Sequence, residues 1–164
     1  MSFPKYLAYA DSGVTWLGVT PAHWVVAPAK RFIESSAGGT AIKGQCSDEA
    51  ADDLFPAFSA SGQDVWVNEP SYEVDGLVLS AVGARCGRTF KANGFWGAVA
   101  NTHCLFPRSN SERDFLWYVT NTESWWEKGG TAQPFVRVKE TLDRKWTFPP
   151  VEEQKAIASF LAIA

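Results

Sequence analysis

The end of the chain places the tightest limit on its fold. A glycine-rich turn that carries a glutamine, residues 129–134, is followed by a short β-prone stretch that Pro149 and Pro150 bring to a stop. Proline lacks a backbone N–H and fixes φ near −65°, so it interrupts a strand but suits the first turn of a helix. Glu152 and Glu153 follow, where a helix N-terminus favours negative charge. The pattern therefore predicts turn, strand, proline stop and helix.

The part of the chain before this segment is typical of short strands. Residues 76–82 are apolar almost throughout, which predicts a buried strand. Asn93-Gly94 separates the β-prone residues 88–91 from residues 95–99 and predicts a hairpin between them. Other strands or extended stretches are predicted at residues 25–26, 38–44 (turn, strand, turn), 55–63, 65–67 and 101–106.

Helices are predicted only in the C-terminal third. Ser111 and Asp114 have the spacing of a capping box at the start of the first helix. Residues 139–143 can form a short second helix. In the last helix one apolar face is formed by Ile157, Phe160, Leu161 and Ala164. Strands followed by helices predict a compact, β-rich α+β fold, and 164 residues suffice for one domain with a real core.

The charge distribution bears on nucleic-acid binding. A net charge of −3 counts against it, because phosphate contacts need Lys and Arg. The charges are uneven, however: residues 48–75 carry acids and no Lys or Arg, whereas residues 85–91 carry Arg85, Arg88 and Lys91 and no acid. A local basic face on an acidic protein is compatible with this pattern.

Cysteine and histidine leave one chemical alternative open. Cys46, Cys86 and Cys104 are odd in number and form neither a disulfide framework nor a Cys-x-x-Cys pair, so reduced buried thiols are the simpler interpretation. His103 with Cys104 leaves open a zinc site or a Cys–His nucleophile assembled across space. No phosphate-binding, dinucleotide-binding, hydrolase-elbow or zinc-protease motif is present, and we expect no catalytic residue, metal or cofactor.

The sequence contains no membrane signal. No apolar run approaches the roughly 20 residues that span a bilayer. The first residues lack the apolar segment of a signal peptide. We therefore expect a cytoplasmic protein that does not bind a membrane.

Five stretches resemble, in order, one target recognition domain of a type I restriction–modification specificity subunit. They are residues 11–18 with 21–24, residues 58–63, residues 76–87, residues 96–104, and residues 130–133 with 148–154. No single stretch is specific, but the ordered set is, and it covers nearly the whole chain. The resemblance implies a recognition domain with an N-terminal arm at residues 1–150 and the start of a conserved spacer helix at residues 151–164.

The resemblance also implies a function without catalysis by this chain. In that family a specificity subunit carries two recognition domains, and each domain reads half of a bipartite site in double-stranded DNA. Partner subunits methylate adenine at N6 and translocate and cut the DNA. With one domain, the chain would be a half subunit, a truncated product or an excised piece, which pairs with a second recognition domain or a homodimer partner.

Two groups of candidate site residues follow. Candidate DNA contacts are Ser59, Ser61, Gln63, Arg85, Arg88, Lys91, Lys128 and Gln133. Arg can pair with guanine, Gln can pair with adenine, and Lys neutralises phosphates. Three simpler interpretations also stay open. The Ser side chains can cap turns, the charged side chains can be solvated, and Gln133 can have a structural role. Candidate partner contacts are Trp16, Ile157, Phe160 and Leu161, with Trp16 also a candidate to hold the arm.

Two other functions remain as alternatives. The first is an acidic protein-interaction module that dimerises through its last helix and does not bind DNA. The second is a small Cys/His hydrolase. A basic face around residues 85–91 favours DNA recognition, and a uniformly acidic surface favours the interaction module.

Overall fold

The computed structural model describes residues 5–164; residues 1–4, the start of the predicted 1–150 domain, lie outside the described residues. The strands are β1 (Tyr9–Asp11), β2 (Val19–Pro21), β3 (Val25–Pro28), β4 (Ile33–Ala37), β5 (Phe55–Ser59), β6 (Gly62–Val67), β7 (Gly76–Ser80), β8 (Thr89–Ala92), β9 (Gly97–Ala98), β10 (Thr102–Pro107), β11 (Lys128–Gly129), β12 (Phe135–Val136) and β13 (Lys145–Phe148). The α-helices are α1 (Arg113–Thr120), α2 (Val138–Asp143) and α3 (Val151–Leu161). The predicted α+β class is confirmed.

An antiparallel sheet with the strand order β4-β10-β7-β8 forms the centre of the domain. The predicted buried strand is β7, a central strand covered on both faces. Leu77 and Leu79 belong to the core beneath the helices, and Val78 belongs to the core on the opposite face. Because successive side chains of a strand point to opposite faces, a strand covered on both sides must be apolar throughout.

The second sheet, β6-β5-β9, shows that the predicted 88–91/95–99 hairpin is wrong. β8 pairs with β7, whereas β9 runs parallel to β5. Trp96 accounts for the difference because its side chain is fully buried beside Phe58. Its indole N–H donates to the Val74 carbonyl (2.8 Å), and its backbone pairs with Tyr72. Asn93-Gly94 is therefore a bend between sheets.

The strand predicted within residues 38–44 is also misplaced. The strand is β4, and the chain leaves it through Gly38 and Gly39, whose N–H groups donate to the carbonyls of Thr102 and Ala98 (2.9 and 2.8 Å). A Cβ at Gly38 would lie 2.0 Å from the Thr102 hydroxyl oxygen. The glycines thus permit close backbone contact, and residues 40–45 form an exposed loop.

The helices follow the prediction except at one cap. Glu112, not Ser111, caps α1: its carboxylate accepts from the Phe115 N–H (2.7 Å). The Ser111 hydroxyl is buried and has no hydrogen-bond partner among the described residues. The predicted second helix is α2, and α3 begins directly after Pro150. Within residues 5–164 no helix is long and apolar enough to cross a bilayer.

Gln154 joins α3 to the rest of the domain. Its side chain is fully buried. Its amide oxygen accepts from the Glu112 N–H (2.9 Å), and its amide nitrogen donates to the carbonyls of Asn110 (3.1 Å) and Pro149 (2.9 Å). Ala158, one turn further on, is also buried. The first half of α3 is therefore part of the packed domain.

The N-terminal arm is attached to the same helix. Glu153 accepts hydrogen bonds from Tyr6, from His23 (2.8 Å) and from the Trp24 indole (3.1 Å). Burial acts to raise the pKa of Glu153, but these hydrogen bonds outweigh it and hold the pKa below its ordinary value. Burial and the bond to Glu153 raise the pKa of Tyr6 to about 12. Glu153 is thus an ionised anchor for the arm.

Candidate nucleic-acid interface

The turn before β8 presents two arginines from a fixed backbone. Gly83 and Gly87 have positive φ values of 105° and 99°. Between them the Cys86 side chain is buried in the core, which anchors the turn. Arg85 and Arg88 are exposed on its outer side. Glycine adopts these φ values without a steric penalty, so the turn keeps its geometry while long side chains reach into solvent.

A second segment lies against this turn. β11 and β12 form a hairpin whose tip contains the exposed Gln133. The Gly83 N–H donates to the Pro134 carbonyl (2.8 Å), and the Val136 N–H donates to Ala81 (2.8 Å). Lys128 lies beside Gly87, since a Cβ built there would be 3.3 Å from the lysine nitrogen. The hairpin thus adds Lys128 and Gln133 to the surface of the turn.

The hairpin also supplies a cation that sequence analysis missed. Arg137 is exposed, and its guanidinium carbon lies 5.9 Å from the centre of the half-exposed Phe135 ring. In the described part of the chain, Arg85 and Arg137 form no ion pair, whereas Arg88 and Lys128 both face Glu123 at 3.7 and 3.4 Å. The predicted Gly-rich turn at residues 129–134 was the only signal in the sequence close to Arg137.

β8 extends the positive surface towards the β5–β6 hairpin. The Lys91 amine lies 3.2 Å from Asp114 and 4.7 Å from the centre of the Trp117 ring. Burial acts to raise the pKa of Asp114, but Lys91 and Arg113 outweigh it and lower the pKa. We use the name basic strip for five residues: Arg85, Arg88, Lys91, Lys128 and Arg137.

The polar candidates of the β5–β6 hairpin divide into two kinds. Gln63 is exposed and, with Lys91 and Asn93, lines a shallow cleft of about 290 Å³. Ser61 is exposed at the turn. Ser59 is buried, and its hydroxyl oxygen accepts from the Ser61 N–H (3.1 Å). The Ser59 hydroxyl thus caps the turn and is buried, which disfavours a DNA contact by this side chain.

The acidic segment lies in a different part of the domain. Asp48, Glu49, Asp52 and Asp53 are exposed on the loop that leads into β5. Asp64 is paired with Lys43 at 2.5 Å. The acidic loop and the basic strip are therefore carried by different segments of the chain, so the net charge of −3 does not describe each segment.

Cys86 and Cys104 are buried in the core, whereas Cys46 is half-buried. Burial raises the pKa of Cys104 to about 11, so its thiol is protonated at neutral pH. Burial lowers the pKa of His103. Cys86 is also in the core, and no group of three metal-ligating side chains occurs among residues 5–164. Since a thiolate is the reactive form, this geometry disfavours the Cys–His hydrolase.

The candidate partner residues lie at two other places. Trp16 is half exposed; its ring packs on Trp146 (4.7 Å between centres) and under Arg144 (4.8 Å). Ile157 packs partly on the core, while Phe160 and Leu161 are 50% and 40% exposed. These last three residues border an apolar groove of about 590 Å³ between the arm and α3.

Comparison with known proteins identifies the fold. No protein-family model and no curated protein sequence matches the chain. Among solved structures, the type I restriction–modification S subunit from M. genitalium aligns over 85% of this chain and 38% of its own, at 15% identity and a TM-score of 0.67. The HsdS subunit from Thermoanaerobacter tengcongensis aligns over 94% of this chain and 39% of its own, at 20% identity and a TM-score of 0.64.

A third structure, which concerns complex assembly and conformational transition of the type I restriction–modification system, aligns over 94% of this chain and 40% of its own. Its identity is 18% and its TM-score is 0.69. The chain has the fold found in type I restriction–modification S subunits, which confirms the resemblance at the level of the fold. It spans about two fifths of the length of each of these proteins.

Proposed function

We propose that this chain is a target recognition domain that reads one half of a bipartite duplex DNA site for a type I restriction–modification system. It directs an adenine-N6 methyltransferase and a restriction subunit to the DNA and performs no chemistry itself. The basic strip is the observation that carries this proposal, because the turn and the β11–β12 hairpin docked on it carry four of its five cations and an exposed glutamine on an otherwise acidic protein. The fold shared with S subunits supports it.

The strip combines groups suited to two tasks. Arg85 stands on a turn fixed by two glycines and forms no ion pair within residues 5–164, so it is suited to pair with a guanine edge in the major groove. Lys91 and Lys128 are suited to phosphate contacts, which position the domain without reading sequence. Gln63 and Gln133, exposed on the two flanking hairpins, are candidates for adenine contacts.

The partner side of the proposal rests on α3. We propose that residues 1–150 are the recognition domain and that residues 151–164 begin a spacer helix, with Ile157, Phe160 and Leu161 facing a second recognition domain or a second copy. Trp16 borders a separate cleft with Trp125 and Trp146 and is proposed as a methyltransferase contact. Buried Gln154 supports a spacer helix whose origin is fixed by the domain.

The deciding experiment is reconstitution with a cognate methyltransferase, followed by sequencing of the methylated sites. We expect Arg85→Ala to relax one position of the recognised half-site, since a bidentate base contact gives about 1–3 kcal/mol of discrimination. Lys128→Ala should weaken methylation of all sites alike. If Gln133→Ala alters the bases recognised while Arg85→Ala and Arg88→Ala leave specificity and affinity intact, the bases are read by the hairpin and not by the arginine turn.

The competing function is an acidic interaction module that dimerises through α3 without binding DNA. The groove beside α3 and the exposed acidic loop favour it. Duplex binding in low salt separates the two functions, because the interaction module would show none.

A further inference from the structure

Arg88 and Lys128 form a two-cation site that an internal carboxylate occupies. They come from the turn before β8 and from β11, and each faces a different oxygen of Glu123, at 3.7 and 3.4 Å. Glu123 opens the short 3-10 turn Glu123–Trp125, whose last residue is buried in the core. The carboxylate is therefore brought to the two cations by a backbone that the core holds in place.

The two ion pairs of Glu123 are too long and too exposed to be explained by a contribution to folding stability. Charge-assisted hydrogen bonds between nitrogen and carboxylate are usually about 2.7–2.9 Å long, shorter than either distance here. The Glu123 side chain is 52% exposed and that of Arg88 is 45% exposed. Exposed ion pairs contribute little to folding. An anion arriving from solvent can thus replace the carboxylate at small cost.

Access to the site is open from one side. An open cleft of about 420 Å³ borders it, and its lining consists of Arg88, Thr89, Phe90, Trp117, Asn121 and Glu123. Arg85 and Arg137, which have no ion pair among the described residues, belong to the same strip. The row of cations suits a ligand with repeated negative charges, which is the pattern of a duplex backbone.

We propose that Glu123 takes the place of a backbone phosphate between Arg88 and Lys128 in the free protein and gives it up when DNA binds. This inference rests on the proposed function. Every duplex must displace the same carboxylate, so Glu123 lowers affinity for all sequences equally and leaves the choice of sequence unchanged. It limits the time that the domain spends on non-specific DNA.

The test compares Glu123→Gln with the parent chain and with Glu152→Gln, by fluorescence anisotropy on a recognised and an unrelated duplex. Glu152 is a matched control because it is an exposed carboxylate paired with one lysine, Lys155, on α3. We expect Glu123→Gln to bind both duplexes about 2- to 30-fold more tightly, the range that loss of two exposed ion pairs implies. The ratio between the duplexes should not change, and Glu152→Gln should match the parent.

A second pair of proteins excludes a general charge effect. In an Arg88→Ala/Lys128→Ala background, addition of Glu123→Gln should produce no gain in affinity. The inference is overturned if the gain persists there, or if Glu123→Gln binds like a parent that does bind DNA. If neither the parent nor Glu123→Gln binds duplex at low salt, the proposed function falls together with the inference.

Discussion

Single residues of this domain owe their roles to neighbours that are distant in sequence. Gln154 lies in the Glu-Glu-Gln opening of α3, and helical spacing places this polar residue on the same face as Ile157 and Leu161. The structure buries it and uses all of its amide to join the Glu112 N–H with two carbonyl groups. The basic strip depends on the same kind of convergence, since the turn that carries Arg85 and the hairpin that carries Lys128 are joined by backbone hydrogen bonds between distant residues.

We expect Gln154→Leu to lower the free energy of unfolding by roughly 2–4 kcal/mol. Leucine nearly preserves the volume but leaves a buried N–H and two carbonyls without partners, and each unsatisfied group costs about 1–3 kcal/mol before relaxation. Urea denaturation measures the change. Gln133→Leu, at an exposed position, should change stability by less than about 0.5 kcal/mol. Equal effects of the two substitutions would contradict the assigned role of Gln154.

At the scale of elements, α3 connects the arm to the domain and presents an apolar side. Its first turn binds the arm through Glu153, its middle packs through Gln154 and Ala158, and its last turn exposes Leu161. The first half of the helix is therefore structural, and its last turn leaves an apolar surface exposed.

The attachment of the arm should depend on pH. The folded pKa of Glu153 lies below its ordinary value of 4.5, so its contribution to stability is present above that pH and is lost as pH falls through the lowered folded pKa. We expect Glu153→Gln to be less stable than the parent at neutral pH and the difference to shrink below about pH 4. Urea denaturation at both pH values, with Glu69→Gln as an exposed control, measures this. A difference that is constant with pH would show that Glu153 does not act through its charge.

The end of α3 should mediate association. We expect Leu161→Glu to weaken self-association or partner binding without loss of folding, because it places a charge on the apolar stripe. Analytical ultracentrifugation measures the effect, and Ser159→Glu on an adjacent exposed position of α3 is the matched control. A parent that stays monomeric at high concentration, together with a Leu161→Glu variant that still binds the methyltransferase, would remove this role.

Local signals in the sequence predicted elements well and pairings poorly. β7, α2 and the start of α3 follow from apolar runs, helix spacing and the two prolines. The Asn93-Gly94 hairpin failed because burial of Trp96 against the second sheet outweighs a favourable turn.

The Glu112 cap was missed for a similar reason, since Gln154 fixes its backbone N–H from another helix. The strip was predicted in part, but its ion pairs with Glu123 and Asp114 depend on tertiary structure.

At the scale of the whole molecule, charge is distributed unevenly around a neutral core. The acids of residues 48–53 lie on the β5–β6 side, and the basic strip lies around the turn, the hairpin and β8. We expect the strip to attract an approaching polyanion, an effect that salt screens.

We expect the chain to bind duplex DNA with a log–log salt slope of about −4, because the five strip cations allow about four to five phosphate contacts. Fluorescence anisotropy across a series of salt concentrations measures the slope. Arg88→Ala and Lys128→Ala together should reduce its magnitude by about 2. A slope near zero, or one that the double substitution leaves unchanged, would place the DNA contacts elsewhere.

The strand pairing has a consequence for synthesis of the protein on the ribosome. Val25 of β3 pairs with Phe148 of β13, and Phe32 stacks on the same Phe148 ring at 3.8 Å between centres. A chain grows at about 5–20 residues per second and its domains generally fold as units. β3 therefore stays unpaired, and the Phe32 ring stays uncovered, until Phe148 has emerged with almost the entire domain. Until then this apolar surface and the unpaired strand edge are open to aggregation with other chains.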